Sequence, residues 1–179
     1  MDRLQHAGRE PTRERLARLA EQAVRVGATS GRCPITVTID DGGAAPDPEI
    51  WTPIWATLIH VVRATVNEGL EGQAERVAAG KPARGYLWLR AFERAGDVVI
   101  EIEDDGRGLE PDMQGLRSSV HAAGGRVEVD CVPGFGTVIR LAVPVKRPSR
   151  SQTALKVVAL RDFAEAGAPG SRRTAGGSR

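Results

Sequence analysis

The residues best placed to do chemistry lie in Glu103-Asp104-Asp105-Gly106-Arg107-Gly108-Leu109. They follow directly on Asp97-Val98-Val99-Ile100-Glu101-Ile102, where Val98, Ile100 and Ile102 alternate with other residues as the half-buried face of a strand does. A strand ending in a carboxylate brings a hydrogen-bond acceptor to the sheet's edge. Two closely spaced glycines then let backbone approach a ligand, because Gly106 and Gly108 have no Cβ and tolerate positive φ. On turn chemistry alone, Asp-Gly pairs are also ordinary turn formers. A second set of polar residues, His60, Arg63 and Asn67, lies a turn apart along a helical pattern and shares one face. On its own that face reads equally well as solvated helix surface.

The elements that must position these groups follow from periodicity. Thr12 to Val26 carries Leu16, Leu19, Ala20, Ala23 and Val24 on one stripe, with Thr12 available as a cap and Gly27 as a stop. Pro34 opens a short strand, Ile35-Thr36-Val37-Thr38-Ile39, which ends at the turn signal Asp40-Asp41-Gly42-Gly43. Asp47 to Gly69 is helical, with Ile54, Leu58, Val61, Val62 and Val66 on the apolar side. Glu71 to Ala79 predicts a short second helix, closed by Gly80-Lys81-Pro82. Tyr86 to Phe92 predicts a strand paired with Val98 to Ile102 through a hairpin turn at Ala95-Gly96. Met113 to Ala123 is a helix ended by Gly124-Gly125, and strands over Arg126 to Cys131 and Thr137 to Val143 flank the turn Pro133-Gly134-Phe135-Gly136.

Length bounds the organisation. A chain of 179 residues fits one domain over 12–145, a polar arm over 1–11, and a basic tail over 146–179 in which only Leu155 to Phe163 is apolar enough for a short helix. The tail's composition predicts disorder towards its end. A net charge of +2, concentrated in that tail, gives no footprint for nucleic acid. No apolar run approaches membrane-spanning length and the N-terminus is charged rather than signal-like, so no membrane partner is expected. Cys33 and Cys131 are far apart without metal-type spacing, which predicts buried thiols in a reduced, cytoplasmic chain.

The segment Leu58-Ile59-His60-Val61-Val62-Arg63-Ala64-Thr65-Val66-Asn67-Glu68-Gly69-Leu70-Glu71 resembles the first nucleotide-binding helix of the chemotaxis histidine kinase CheA, which reads His-x-x-Arg-Asn-x-x-Asp-His-Gly-x-Glu. The resemblance continues through Glu75 to Pro82, which is similar to an insertion peculiar to CheA, and through Asp104-Asp105-Gly106-Arg107-Gly108. It then takes in Gly115-Leu116, Gly124 to Val129, and Gly134-Phe135-Gly136-Thr137, so that it covers the chain from about the first helix to Pro144. Several motifs in one family's order are far more specific than any one of them.

The resemblance implies an α+β fold. This is the two-layer α/β sandwich of the histidine-kinase, Hsp90 and gyrase ATPases, a mixed sheet with helices on one face. It implies ATP or ADP as the ligand. Asp104 matches the aspartate that accepts a hydrogen bond from the adenine amine, and Thr137 the threonine that supports it. Gly106 and Gly108 would pass beside base and ribose, and the backbone at Gly115 and Leu116 would face phosphate at a helix start. His60, Arg63 and Asn67 match positions on the nucleotide-facing helix. A signalling protein of the phosphotransfer or receptor-coupling type is the implied partner, and the oligomeric state is left open.

Three departures bear on chemistry. The family's Mg²⁺-holding asparagine falls at Ala64, whose methyl cannot coordinate a hard cation, and this puts Mg²⁺ in doubt. Asn67 replaces the family's aspartate and Glu68 its histidine, the latter adding negative charge. Only Leu109 to Gln114 separates Gly108 from Gly115, where the family carries a long lid that would exclude water. The chain also shows no phosphoacceptor-histidine bundle around His6, His60 or His121. The expectation is therefore a CheA-like ATP-binding domain of two-component signalling that grips nucleotide by the adenine end, with impaired phosphoryl transfer and no confident catalytic residue. The alternative is a non-catalytic pseudokinase or protein-interaction module of the same fold. A serine-kinase anti-sigma factor of that superfamily is disfavoured by the insertion at Gly80-Lys81-Pro82.

Overall fold

In the computed structural model, residues 11–145 are described, and among them five strands form one mixed sheet. They are β1 (Ile35–Asp40), β2 (Gly85–Arg94), β3 (Asp97–Asp104), β4 (Arg126–Val132) and β5 (Gly136–Pro144), in the order β1-β2-β3-β5-β4. β1 runs parallel to β2, and the other pairings are antiparallel. Four α-helices accompany the sheet: α1 (Thr12–Thr29), α2 (Pro48–Ala64), α3 (Gln73–Ala78) and α4 (Gln114–Ala122). None of them is long and apolar enough to cross a membrane. The helix expected over Leu155 to Phe163 lies outside the described residues.

Period-2 alternation decides which sheet face is covered. Leu87, Leu89 and Ala91 of β2, Ile100 and Ile102 of β3, and Ile139 and Leu141 of β5 are buried on one side. There they meet Leu16 and Leu19 of α1, Ile54, Leu58 and Val62 of α2, and Leu116 and Val120 of α4. Each such aliphatic side chain contributes about 1.5–3 kcal/mol on full burial. The opposite face is half-exposed and polar. Glu101 sits between two arginines there, taking Arg90 at 2.7 Å and Arg140 at 2.6 Å, and the rings of Tyr86 and Trp88 stack with centroids 5.8 Å apart. The β2–β3 hairpin turns at Ala95-Gly96 with φ of 54° and 87°, the double positive φ that a two-residue primed turn needs.

Five expectations change in detail. Thr12 does not cap α1; its hydroxyl donates to the Ala44 carbonyl at 2.6 Å and pins the helix to the β1–α2 loop. Gly27 does not stop the helix, which continues to Thr29. A Cβ there would lie 2.6 Å from Ile35 Cδ1, so Gly27 serves close packing of α1 on β1. The second helix is shorter than Glu71 to Ala79, and α4 is one residue shorter at each end than Met113 to Ala123. The long helix from Asp47 is not uniform either: α2 ends at Ala64, and Thr65–Gly69 form a π turn.

Candidate nucleotide site

β3 delivers Asp104 to its C-terminal end on the helix-covered side, in phase with Ile100 and Ile102. The residue is only 4% exposed. Its Oδ1 accepts the Gly106 N–H at 2.8 Å. Burial pushes the carboxyl up to about 6, against the opposing pull of the Gly106 and Thr137 backbone N–H groups, and the neighbouring Asp105 carboxylate adds to the rise. A carboxyl poised this close to neutrality inside the fold is the most perturbed acid described in the molecule, which marks it as a site candidate.

The loop after Asp104 is held on three sides. On the first, Arg107 N–H donates to the Gly69 carbonyl at 2.8 Å, tying the loop to the end of the π turn. A Cβ on Gly106 would lie 2.3 Å from that same carbonyl and 2.8 Å from Asp104 Oδ1. On the second, Gly108 has φ of 76°, and a Cβ there would lie 2.2 Å from the Val132 carbonyl, while Gly134 N–H donates to the Arg107 carbonyl at 2.8 Å. Both glycines are therefore required by contacts within the chain, a different reason from the ligand approach read in the sequence.

The third side is an ionic clasp. Arg76 of α3 is fully buried, with Nη1 3.1 Å from Glu71, Nη2 2.6 Å from Asp105 Oδ2, and Nε donating to the Pro82 carbonyl at 2.8 Å. Lys81 Nζ reaches Glu71 at 2.7 Å and the carbonyls of Asp105 and Gly106 at 2.9 and 2.6 Å. Burial alone would raise Glu71, but the Lys81 hydrogen bond and nearby backbone N–H outweigh it and hold the carboxyl below its ordinary value. Sequence reasoning assigned the segment from Glu75 to Pro82 no place in the site. Its charged residues look like a solvated helix surface, and only the short spacing Glu71–Arg76–Lys81 hints otherwise.

The remaining predicted residues are brought in unequally. Thr137 is the cross-strand partner of Asp104, but its hydroxyl donates to the Leu109 carbonyl at 3.2 Å. Leu116 turns its side chain into the core, so only backbone at Gly115 and Leu116 is available to a ligand. Asp112 Oδ1 already accepts the Gln114 N–H at 3.0 Å, at the first residue of α4. A carboxylate there competes with phosphate for the positive end of the helix. His60 and Arg63 are exposed on α2, and Asn67 is half-buried within the π turn. The i→i+5 winding rotates Asn67 out of the register that an unbroken α-helix would give it against Ala64.

The adenine end thus fits the implied nucleotide, with a buried acceptor next to a glycine. The metal end does not fit: half-buried Ala64 offers a methyl where an oxygen ligand is needed. Grooves of about 330 Å³ on the outer sheet face near Phe92 and Val99, and about 200 Å³ between α1 and α2 near Trp55, do not include Asp104.

No family model matches the chain. Among curated relatives, the chemotaxis protein CheA of Cereibacter sphaeroides is 23% identical over 76% of this chain and 26% of its own length. CheA of Treponema pallidum is 34% identical over 45% of this chain and 11% of its own. The chain spans about a quarter or less of these relatives. Among solved structures, the histidine kinase domain of the Erythrobacter litoralis EL346 blue-light activated histidine kinase superposes with a TM-score of 0.54 at 22% identity, covering 72% of this chain and 63% of that one. Such identity speaks for the fold. With CheA as its recurrent sequence relative, the chain carries a CheA-like domain of the histidine-kinase ATPase fold.

Proposed function

We propose that this domain binds ATP or ADP by its adenine end as part of two-component signalling, and that its handling of the phosphates is impaired. The observation that carries the reading is Asp104, a buried carboxyl at a strand end beside the glycine that closes a π turn. Charged, it accepts a hydrogen bond from an exocyclic amine, and a buried acceptor discriminates strongly against a ligand that cannot satisfy it. The phosphates would meet Ala64 instead of a metal ligand, and Asp112 just ahead of α4, where it already accepts the Gln114 N–H. No phosphoryl-transfer step is assigned to any residue of the chain, and any acceptor would belong to a signalling partner.

Calorimetric titration with ADP, with and without Mg²⁺, tests this. Weak binding that is indifferent to chelation is expected. Affinity that collapses in EDTA overturns the impaired phosphate end. A second reading, a protein-interaction module without nucleotide, is favoured by one observation: Asp104 is closed off from solvent and both loop glycines are occupied by internal packing. A flat ADP titration selects it.

A further inference from the structure

Gly80 decides where the side chain after it goes. It ends α3 with φ of 74°, the left-handed conformation that glycine adopts without steric cost. Two crossed backbone bonds complete this helix ending: Lys81 N–H donates to the Arg76 carbonyl at 2.8 Å, and Gly80 N–H to the Val77 carbonyl at 3.0 Å. The chain thereby reverses, and the Lys81 side chain, only 16% exposed, reaches the loop after β3. An ammonium has three N–H donors. Lys81 meets three acceptors, Glu71 Oε1 at 2.7 Å and the carbonyls of Asp105 and Gly106 at 2.9 and 2.6 Å.

Those two carbonyls belong to the two peptides on either side of Gly106, and each peptide donates from its other end. The N–H of the Asp105–Gly106 peptide goes to Asp104 Oδ1 at 2.8 Å, and the N–H of the Gly106–Arg107 peptide goes to the Gly69 carbonyl at 2.8 Å. A cation on a peptide's oxygen polarises the unit and strengthens the donor at its nitrogen. One charge on the α3 side therefore acts on the Asp104 carboxylate through a single peptide, and on the end of the π turn through the next. We infer that Lys81 is a positioning residue for Asp104, orienting and polarising the Asp105–Gly106 peptide so that the carboxylate stays in one rotation, ready to accept from an exocyclic amine. This rests on the nucleotide reading above and names the device that keeps its anchor in place. Asp104 needs such support, because burial disfavours its charged form and its acidic neighbours Asp105 and Glu71 do so further.

Lys81→Met keeps an apolar stem of similar length and removes the ammonium. In NMR spectra of the free protein the Gly106 amide proton should move upfield, by more than that of Gly108, as its hydrogen bond to Asp104 weakens. ADP affinity should fall about tenfold. Lys81→Arg, which keeps a cation with N–H donors, should restore both the shift and the affinity. If Lys81→Met does not fold because Glu71 has lost its counter-charge, the double variant Lys81→Met/Glu71→Gln removes both charges and carries the same expectation. A Gly106 amide that stays in place in a folded variant overturns the proposal, and so does an ADP affinity equal to that of a binding wild type. The amide shift is read without ligand, so a flat wild-type titration, which sinks the nucleotide reading, leaves the link from Lys81 to Asp104 to be judged by itself.

Discussion

Arg76 Nη2 lies 2.6 Å from Asp105 Oδ2, joining a six-residue helix to the end of a strand 29 residues further along the chain. The pair is one corner of a clasp in which Glu71 and Asp105 are shared between Arg76 and Lys81, through a carboxylate and a backbone carbonyl respectively. Since Arg76 is fully buried, removing it leaves acidic groups without their main counter-charge. Arg76→Met should destabilise the fold by about 3–5 kcal/mol, the usual cost of breaking a buried pair. Urea denaturation measures this. A loss below about 1 kcal/mol would place the clasp among surface pairs of little consequence.

Asp104→Asn separates charge from shape, because the carboxamide oxygen can still accept from Gly106 N–H. In wild type the carboxyl titrates near 6 when folded against an ordinary 3.8. Below about pH 4 it is protonated in both folded and unfolded chains, and the shift costs nothing. Between about pH 4 and 6 the unfolded chain ionises first, so stability falls as pH rises, by at most about 3 kcal/mol. Above that window the penalty is constant. The asparagine variant should therefore match wild type near pH 4 and exceed it at pH 8, while ADP affinity drops at least about tenfold for want of an anionic acceptor. A stability difference that stays flat across that range would mean that Asp104 is not a buried charge.

These predictions draw on two kinds of information that the sequence exposes very unequally. Local alternation made β3 legible and fixed the face to which Asp104 belongs, because period 2 leaves no other phase for Ile100 and Ile102. The glycines of the loop were visible, but not their reasons: the sequence does not say that Gly106 meets the Gly69 carbonyl or that Gly108 meets Val132. The clasp escaped for a similar cause. Arg76 and Lys81 differ from any solvated cation only by the carboxylates and carbonyls that folding brings to them. The π turn was hidden because Thr65 to Gly69 continues an apolar helical pattern, and the winding change appears only in its hydrogen bonds.

Two glycines near the site should respond in opposite directions to alanine. Gly108→Ala forces positive φ on an L-residue and drives a methyl to 2.2 Å from a backbone carbonyl. It should cost about 2–4 kcal/mol. Gly115 is exposed in α4, and the nearest atom to an added Cβ is Thr57 Cγ2 at 3.7 Å, an ordinary contact. Gly115→Ala should gain about 0.5–1 kcal/mol from helix propensity. Thermal or urea unfolding of the two variants side by side is sufficient. A stable Gly108→Ala protein would contradict the packing of this loop against the β4–β5 turn.

The proposed impairment at the phosphate end can be tested by reversing it in steps. Ala64→Asn returns a side-chain oxygen to the position where the CheA resemblance places a Mg²⁺ ligand, half-buried on the last turn of α2. Alone it should confer only slight Mg²⁺ dependence on ADP binding, because the Asp112 carboxylate still sits just ahead of α4 on the Gln114 N–H and repels phosphate there. Adding Asp112→Asn keeps an oxygen for the Gln114 N–H and removes the charge. The double variant should bind ADP several-fold more tightly in Mg²⁺ than in EDTA, with the two changes reinforcing each other more than additively, since both act on the same phosphate group. Calorimetry across the four proteins, each with and without Mg²⁺, reads this directly. If the double variant remains indifferent to the metal, then Ala64 and the start of α4 do not face one ligand, and the proposed impairment of phosphate handling does not rest on these two residues.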